Sequence, residues 1–154
     1  MSQQSKDFRS HMHIALEEAR AAAARGEVPV GAVVVSPGGE VVAQAGNRTR
    51  EMNDPSAHAE MLAIRAACAA IGSERLIEHD LYVTLEPCAM CAGAIAAARI
   101  ARVYYGAHDP KSGGIAQGAR VFSHPQAHHV PEVYDGISTA ASEALLKAFF
   151  ASRR

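Results

Sequence analysis

The 154 residues carry a formal net charge of −1 and are 49% hydrophobic, which predicts one folded domain over 1–154 and argues against a protein that coats nucleic acid through bulk positive charge. The three cysteines are an odd number and two of them are spaced Cys-x-x-Cys, so a secreted disulfide framework is not expected. The chain has neither a leader pattern at its start nor an apolar run near the roughly 18 residues of a membrane span. We therefore expect a cytoplasmic protein with no membrane contact.

Apolar periodicity and breaker residues predict an alternation of helices and strands. In chain order the predicted elements are helix 6–25, strands 30–35 and 40–45, helix 57–70, strand 81–85, helix 87–98, strand 102–107 and a C-terminal helix with an apolar stripe at 145, 146, 149 and 150. The Ser-Pro-Gly-Gly sequence at 36–39 predicts the turn of a β-hairpin. Gly26 and Gly72 are predicted helix stops, and Pro87 is predicted to open a helix at its first turn. The stretch 121–136 is ambiguous, although an edge strand fits 130–134.

The connections from residue 81 onward decide the fold class. Strand, helix and strand follow one another there, which indicates a parallel component in the sheet. Helices should then cover both faces of that sheet. The sequence therefore predicts an α/β fold with three layers, α/β/α.

The residues that indicate chemistry are His58 and Glu60 near the start of one predicted helix, and Cys88 and Cys91 at the start of another. Two cysteines three positions apart present their sulfurs on one helix face. The N–H groups and dipole of the helix start favour the thiolate form that binds metal. One imidazole and two thiolates suit tetrahedral zinc with an open fourth position, where a water becomes hydroxide near neutral pH. Glu60 is the candidate catalytic residue that accepts and passes on protons.

The Cys-x-x-Cys spacing alone has other interpretations. It is also found in redox pairs and in halves of structural zinc knuckles. A closed structural site needs a fourth protein ligand, and Cys68, in mid-helix among alanines, is expected in the core instead. The joint pattern His-x-Glu, then Pro-Cys-x-x-Cys, is a known signature of zinc deaminases, which favours a hydrolytic zinc site.

Motifs along nearly the whole chain carry a family resemblance. They are Glu-Val-Pro-Val-Gly-Ala-Val at 27–33, Gly-Asn-Arg at 46–48, Ala-His-Ala-Glu at 57–60, Leu-Tyr-Val-Thr-Leu-Glu-Pro-Cys at 81–88, Cys-Ala-Gly-Ala at 91–94, Arg-Val-Tyr-Tyr-Gly-Ala at 102–107, and Phe-Phe at 149–150 followed by Arg-Arg at 153–154. On these the chain resembles the bacterial tRNA-specific adenosine deaminases of the cytidine deaminase-like superfamily. The central motifs are shared by the superfamily, and the flanking ones are typical of the tRNA branch.

The resemblance implies a mixed five-stranded sheet, a homodimer with one Zn²⁺ per subunit, and conversion of the wobble adenosine of an arginine tRNA to inosine. It implies that zinc-bound hydroxide attacks C6 of adenine while Glu60 shuttles the protons. By the same resemblance Asn47 binds the flipped nucleoside, and the loop containing Asp109 and Lys111 contacts the tRNA anticodon loop. The chain departs from better-known relatives at His108 and Pro110, which flank that aspartate.

Two other functions remain open on the sequence. A deaminase of free guanine or cytidine would share the zinc motifs, and only the flanking motifs separate it from a tRNA enzyme. A deaminase-like RNA-binding subunit without catalysis would not require Glu60. Several basic residues are candidates for phosphate contacts or for an ordinary solvated surface: Arg48, Arg50, Lys111, Arg153 and Arg154.

Overall fold

The computed structural model describes residues 8–153. Predicted helical residues 6 and 7, and Arg154, therefore lie outside the described part of the chain. The helices and strands are, in order, α1 Met12–Ala24, β1 Gly31–Val35, β2 Val41–Gly46, α2 Ala59–Ile71, β3 Asp80–Leu85, α3 Ala89–Ala97, β4 Arg102–Ala107, a 3₁₀ turn Val121–Ser123, β5 Glu132–Tyr134 and α4 Thr139–Ala151.

The five strands form one mixed sheet in the order β2-β1-β3-β4-β5. The hairpin partners β1 and β2 are antiparallel, and β1 also pairs antiparallel with β3. The pairs β3–β4 and β4–β5 are parallel. The parallel pairs confirm the prediction from the chain order of strand, helix and strand, and the mixed five-stranded sheet confirms what the resemblance implied.

Helices cover both faces of the sheet. On one face the buried side chains of α1, such as Met12 and Leu16, pack with Val33 and Tyr82 of the sheet and with Leu145 of α4. On the other face α2 and α3 contribute seven of the twenty buried residues of a larger apolar cluster, in which they pack against β1, β3 and β4. The three-layer α/β/α architecture is thereby confirmed.

Small residues let α1 lie unusually close to the hairpin. Ala15 and Ala19 are fully buried on the sheet-facing side of α1. A Cβ on Gly31 of β1 would lie 1.9 Å from the carbonyl oxygen of Ala15, and one on Gly46 of β2 would lie 2.7 Å from that of Glu18. Glycine in both strands is therefore required by the approach of the helix backbone.

Three helices begin later than predicted; α2 begins at Ala59 instead of residue 57, and hydrogen bonds of the preceding segment accompany the other two shifts. Helix α1 begins at Met12 instead of residue 6; its N-cap is His11, and the Met12 amide donates a hydrogen bond of 3.1 Å to the hydroxyl of Ser10 before it. Helix α3 begins at Ala89, and its N-cap Cys88 is still in extended backbone. The Pro87 carbonyl accepts a hydrogen bond from the Gly114 amide at 2.8 Å, so this segment pairs with a distant loop and cannot yet be helical.

The ambiguous stretch 121–136 contains the 3₁₀ turn and then β5, a three-residue edge strand inside the predicted 130–134. In α4 the predicted apolar stripe is only partly buried, since Phe149 is buried whereas Phe150 is 53% exposed. No helix within residues 8–153 is long and apolar enough to cross a membrane.

Candidate metal centre and substrate cleft

The N-termini of α2 and α3 meet at one end of the sheet, and each begins with a candidate metal ligand. His58 is the N-cap of α2 in extended backbone, with φ −73° and ψ 151°. Cys88 is the N-cap of α3, and Cys91 lies in the first turn of that helix. The connection after β3 delivers the cysteines, and the loop after β2 delivers His58, so residues 30 positions apart converge.

The three predicted ligands lie close enough to hold one metal ion. The Nδ1 of His58 is 3.7 Å from Sγ of Cys88 and 3.5 Å from Sγ of Cys91. All three ligand atoms lie within 4.8 Å of one another. Tetrahedral zinc with its usual Zn–N and Zn–S bond lengths would separate such a nitrogen and sulfur by about 3.6 Å. The donor set and its spacing therefore fit zinc.

Hydrogen bonds within the triad prepare it for a cation. The hydrogen bonds that Cys88 receives from the Cys91 thiol and from His58 lower the pKa of the Cys88 thiol to about 3. The hydrogen bond between Cys91 and Cys88 raises the pKa of the Cys91 thiol. The hydrogen bond between His58 and Cys88 raises the pKa of the His58 imidazole. The hydrogen bonds thus favour the thiolate form of one sulfur, which is the form that binds metal.

Glu60 lies beside the triad although it is only two residues from His58. Since His58 is still in extended backbone, Glu60 is the second residue of α2 and its side chain reaches the same cleft. It is only 4% exposed, and burial raises the pKa of its carboxyl. A carboxyl that binds protons more readily than usual is suited to transferring them.

The cleft above the triad has a volume of about 230 Å³. Pockets that enclose drug-sized ligands measure roughly 300–1,000 Å³, so this one accommodates a single small ring system. Its lining residues are Val28, Val30, Asn47, Thr49, His58, Glu60, Leu85, Glu86, Cys88, Asp109 and Ser112. A groove of similar volume between Ala119 and Ala127 has no carboxylate or cysteine among its lining residues.

Asn47 lines the cleft and also accepts a hydrogen bond from the start of α2. Its Oδ1 accepts a hydrogen bond of 2.8 Å from the Ala59 amide, the first amide of that helix. This amide would otherwise lack an intrahelical partner. Because the oxygen is engaged, the side-chain NH₂ is the group left to meet a ligand. That Asn47 binds the substrate stays a prediction.

Asp109 lies in the cleft wall, and it also forms the turn that the Asp-Pro sequence indicates. Its Oδ1 accepts hydrogen bonds from the amides of Lys111 and Ser112, at 3.2 and 3.0 Å. Lys111 is exposed and immediately precedes the cleft-lining Ser112. Contacts of Asp109 and Lys111 with RNA stay predictions.

Two carboxylates near the cleft were not anticipated from the sequence. Glu27 and Glu86 are each only 2% exposed. Burial raises the pKa of each, but hydrogen bonds from backbone amides outweigh it, so both pKa values lie below their usual range. Both occur in the quoted family motifs, beside Val-Pro and Pro-Cys. The feature of the sequence that could have identified both carboxylates is an acidic residue directly next to apolar strand residues.

The predicted basic residues are largely engaged within the protein. Arg48 forms an ion pair with Glu51. Arg50 and Arg153 both donate to the carbonyl of Gly26, at 3.3 and 3.1 Å. The guanidinium of Arg153 also lies 4.3 Å from the centre of the Phe149 ring. Arg153 therefore ties α4 to the end of α1, while Arg154 lies outside the described residues.

Comparisons with known proteins agree with this site. Residues 5–107 match the family described as cytidine and deoxycytidylate deaminase zinc-binding region. The chain is 56% identical over 147 residues to the tRNA-specific adenosine deaminase of Agrobacterium fabrum, covering 95% of this chain and 96% of that protein. The comparisons thus confirm the resemblance identified from the motifs.

Among solved structures, too, the similarity to a tRNA deaminase exceeds the similarity to a guanine deaminase. A structure from a study of A-to-I editing by tRNA:A34 deaminases at the wobble position of transfer RNA matches with a TM-score of 0.86 and 58% identity, covering 88% of this chain and 97% of the other. The guanine deaminase from Bacillus subtilis matches with a TM-score of 0.64 and 31% identity, covering 94% of both chains. Similarity to the tRNA deaminase is greater by both measures.

Proposed function

The chain belongs to the zinc-dependent cytidine and deoxycytidylate deaminase family, and within it we propose that it converts adenosine to inosine by hydrolysis at the wobble position of an arginine tRNA. The observation that carries this proposal is the placement of Glu60 beside the His58, Cys88 and Cys91 triad, in a cleft sized for one base. Identity of 56% to a tRNA-specific adenosine deaminase supports the choice of substrate.

The protein residues divide the work of the reaction. When bound by His58, Cys88 and Cys91, zinc supplies Lewis-acid chemistry, lowering the pKa of a water molecule to about 7. Glu60 accepts a proton from the water that adds to C6 of adenine, and delivers it to N1. Its carboxyl then carries the second proton to the amino group at C6, which leaves as ammonia. Water and adenosine thus become inosine and ammonia.

The small cleft requires that the adenine leave its stacked position. A base inside a helix cannot reach the triad, whereas an unpaired base of an anticodon loop can be splayed outward at low cost. Asn47, through its side-chain NH₂, and Asp109 line the space that such a base would enter. Lys111 is exposed beside Ser112 of the cleft, so its charge is available to the flanking phosphates.

The quaternary and cellular parts of the proposal rest on the family. We propose a homodimer of single-domain subunits, 1–154, in the cytoplasm, with one zinc ion each. The outward side of α3 is apolar and includes Met90, which is 41% exposed, together with the exposed small residues Gly93 and Ala97. Such a side is compatible with a subunit contact. Light scattering on a gel-filtration column tests it, and a mass of one chain at micromolar concentration would contradict it.

Ammonia release from three substrates tests the catalytic proposal. The purified zinc-loaded protein is incubated with an arginine tRNA anticodon stem-loop carrying adenosine at the wobble position, with guanine and with cytidine. A stem-loop with guanosine at that position is the matched RNA control. We expect ammonia and inosine from the first substrate only. Release from guanine with none from the stem-loop would favour the alternative, a free-base deaminase, which the similarity to a guanine deaminase allows.

A further inference from the structure

Glu86 is a fully buried carboxylate two residues before the metal-binding helix start. Its side chain has no exposed surface. Its Oε1 accepts a hydrogen bond from the amide of Asp109 at 3.1 Å. Its Oε2 accepts three more from successive amides, those of Ile115 at 3.1 Å, Ala116 at 2.8 Å and Gln117 at 3.1 Å. Four backbone donors of one loop therefore converge on this single carboxylate.

These donors belong to residues 108–118, which we call the wall loop because Asp109 and Ser112 line the cleft. The loop has no regular hydrogen-bond ladder that could satisfy its inward amides. Buried amides without acceptors are costly, so the loop depends on an acceptor supplied from elsewhere. Glu86 supplies it from the end of β3, across 23 to 31 residues of sequence.

The wall loop also packs directly on the segment that carries Cys88. A Cβ on Gly113 would lie 2.6 Å from Cδ of Glu86 and 2.7 Å from its Oε1. A Cβ on Gly114 would lie 2.5 Å from the amide nitrogen of Ala89. Neither position has space for a side chain, so the loop fits the carboxylate and the start of α3 closely.

We propose that Glu86 is a positioning residue, which holds the wall loop in the shape that presents Asp109 and Ser112 to the substrate. It acts through the loop backbone, because its side chain has no exposed surface and both of its oxygens already accept hydrogen bonds from the loop amides. The inference rests on the proposed function for its kinetic consequence, since the loop matters to catalysis only if the cleft receives the base. The ordering of the loop by Glu86 does not depend on which substrate enters.

The carboxylate chemistry predicts different effects for similar side chains. Glutamine at position 86 has the same shape but must turn its NH₂ toward at least one of the four amides, where donor meets donor. Aspartate keeps the charge but is one methylene shorter, so it cannot reach Asp109 and the 115–117 amides together. We expect Glu86→Gln to disturb the loop most and Glu86→Asp to be intermediate.

The experiment uses the full-length zinc-loaded protein and three measurements. For Glu86→Gln we expect zinc content equal to wild type and faster amide hydrogen exchange confined to residues 108–118. With the anticodon stem-loop, kcat/KM should fall on the order of tenfold, mainly through KM. Gly113→Ala crowds the Glu86 carboxylate and also the Asp109 carbonyl of the loop, each at 2.6 Å, and should give the same pattern. Gly38→Ala is its control, because the nearest atom to the added Cβ is 3.8 Å away.

Leu16→Ala, in the core on the far face of the sheet, is the control for lost stability alone. The inference is overturned if Glu86→Gln behaves like Leu16→Ala, with a lower Tm but unchanged loop exchange and unchanged KM. Loss of zinc would also overturn it, since Glu86 would then act on the metal centre. If Glu86→Gln fails to fold, Glu86→Asp decides by the same three measurements. If wild type leaves the stem-loop unreacted, the proposed function fails, while hydrogen exchange still decides the role of Glu86.

Discussion

The floor and the walls of the cleft are built by different means. The floor consists of His58, Glu60, Cys88 and Cys91, all placed in the first turn or at the N-cap of a regular helix. The walls are the irregular loops 47–53 and 108–118. Helical backbone therefore determines the floor, whereas the walls require contacts from distant parts of the chain.

Both walls use the same device, a buried carboxylate that accepts backbone amides. Glu27 accepts hydrogen bonds from the amides of Arg50 and Glu51, at 3.1 and 2.9 Å, in the first wall. Glu86 accepts four in the second. Loss of a floor residue should therefore abolish the chemistry, while loss of a wall residue should weaken binding and local order.

The largest expected effect is the loss of zinc when a ligand is removed from the floor. We expect His58→Ala and Cys88→Ala to lose zinc and all measurable activity, because two remaining ligands bind the ion far more weakly. Metal analysis of the purified variants measures this. Cys68→Ala, in the half-buried middle of α2, is the matched control and should retain zinc. Full zinc occupancy in either ligand variant would remove that residue from the metal centre.

The next effect separates proton transfer from metal binding within the floor. Glu60→Gln should keep zinc, but its turnover should fall by roughly 10²–10⁴-fold or more, because an amide cannot carry protons between water and base. Single-turnover inosine formation measures the change. Glu74→Gln, at an exposed position beyond α2, serves as the control. Substantial activity in the Glu60 variant would refute the proton-transfer role.

Asn47 lies at the start of the first wall. Its side-chain oxygen and its side-chain NH₂ have different predicted roles, and substitutions can test these roles separately. Asn47→Ala should lose about 1 kcal/mol of stability, because the Ala59 amide loses its acceptor. Asn47→Asp keeps an acceptor there and should retain that stability. Both should raise KM for the stem-loop, because both lack the NH₂ donor. Thermal unfolding and steady-state kinetics check this, and an unchanged KM in both variants would leave Asn47 with a capping role only.

The smallest effect on activity is expected at Glu27, where stability is the clearer measurement. Its pKa is lowered, so its contribution is present above its ordinary pKa near 4.5 and is lost as the pH falls through the lowered value. Glu27→Gln should therefore lose about 1–3 kcal/mol at pH 7 and less below pH 4. Urea unfolding at both values measures it, with exposed Glu143→Gln as the control. A loss that does not change with pH would contradict the charged role of Glu27.

Much of the fold and the floor could be predicted because they depend on local patterns. Periodic apolar residues placed the main helices and four of the five strands. The spacing Cys-x-x-Cys on a helix start, with His-x-Glu on another, was enough to expect a joint metal centre. The errors at the starts of α1 and α3 arose where Ser10 and the 113–114 backbone supply hydrogen bonds that periodicity does not reveal.

By itself the sequence determined the three-layer class, the metal ligands to be tested and the family, because these follow from residue types at short, regular spacings. Only the tertiary structure decided how the cleft is walled. It showed Asn47 bonded to the first amide of α2, and Glu27 and Glu86 beneath the two walls. The physical reason is that a buried carboxylate must find donors, and its donors here lie 22 to 31 residues away in loops without periodicity.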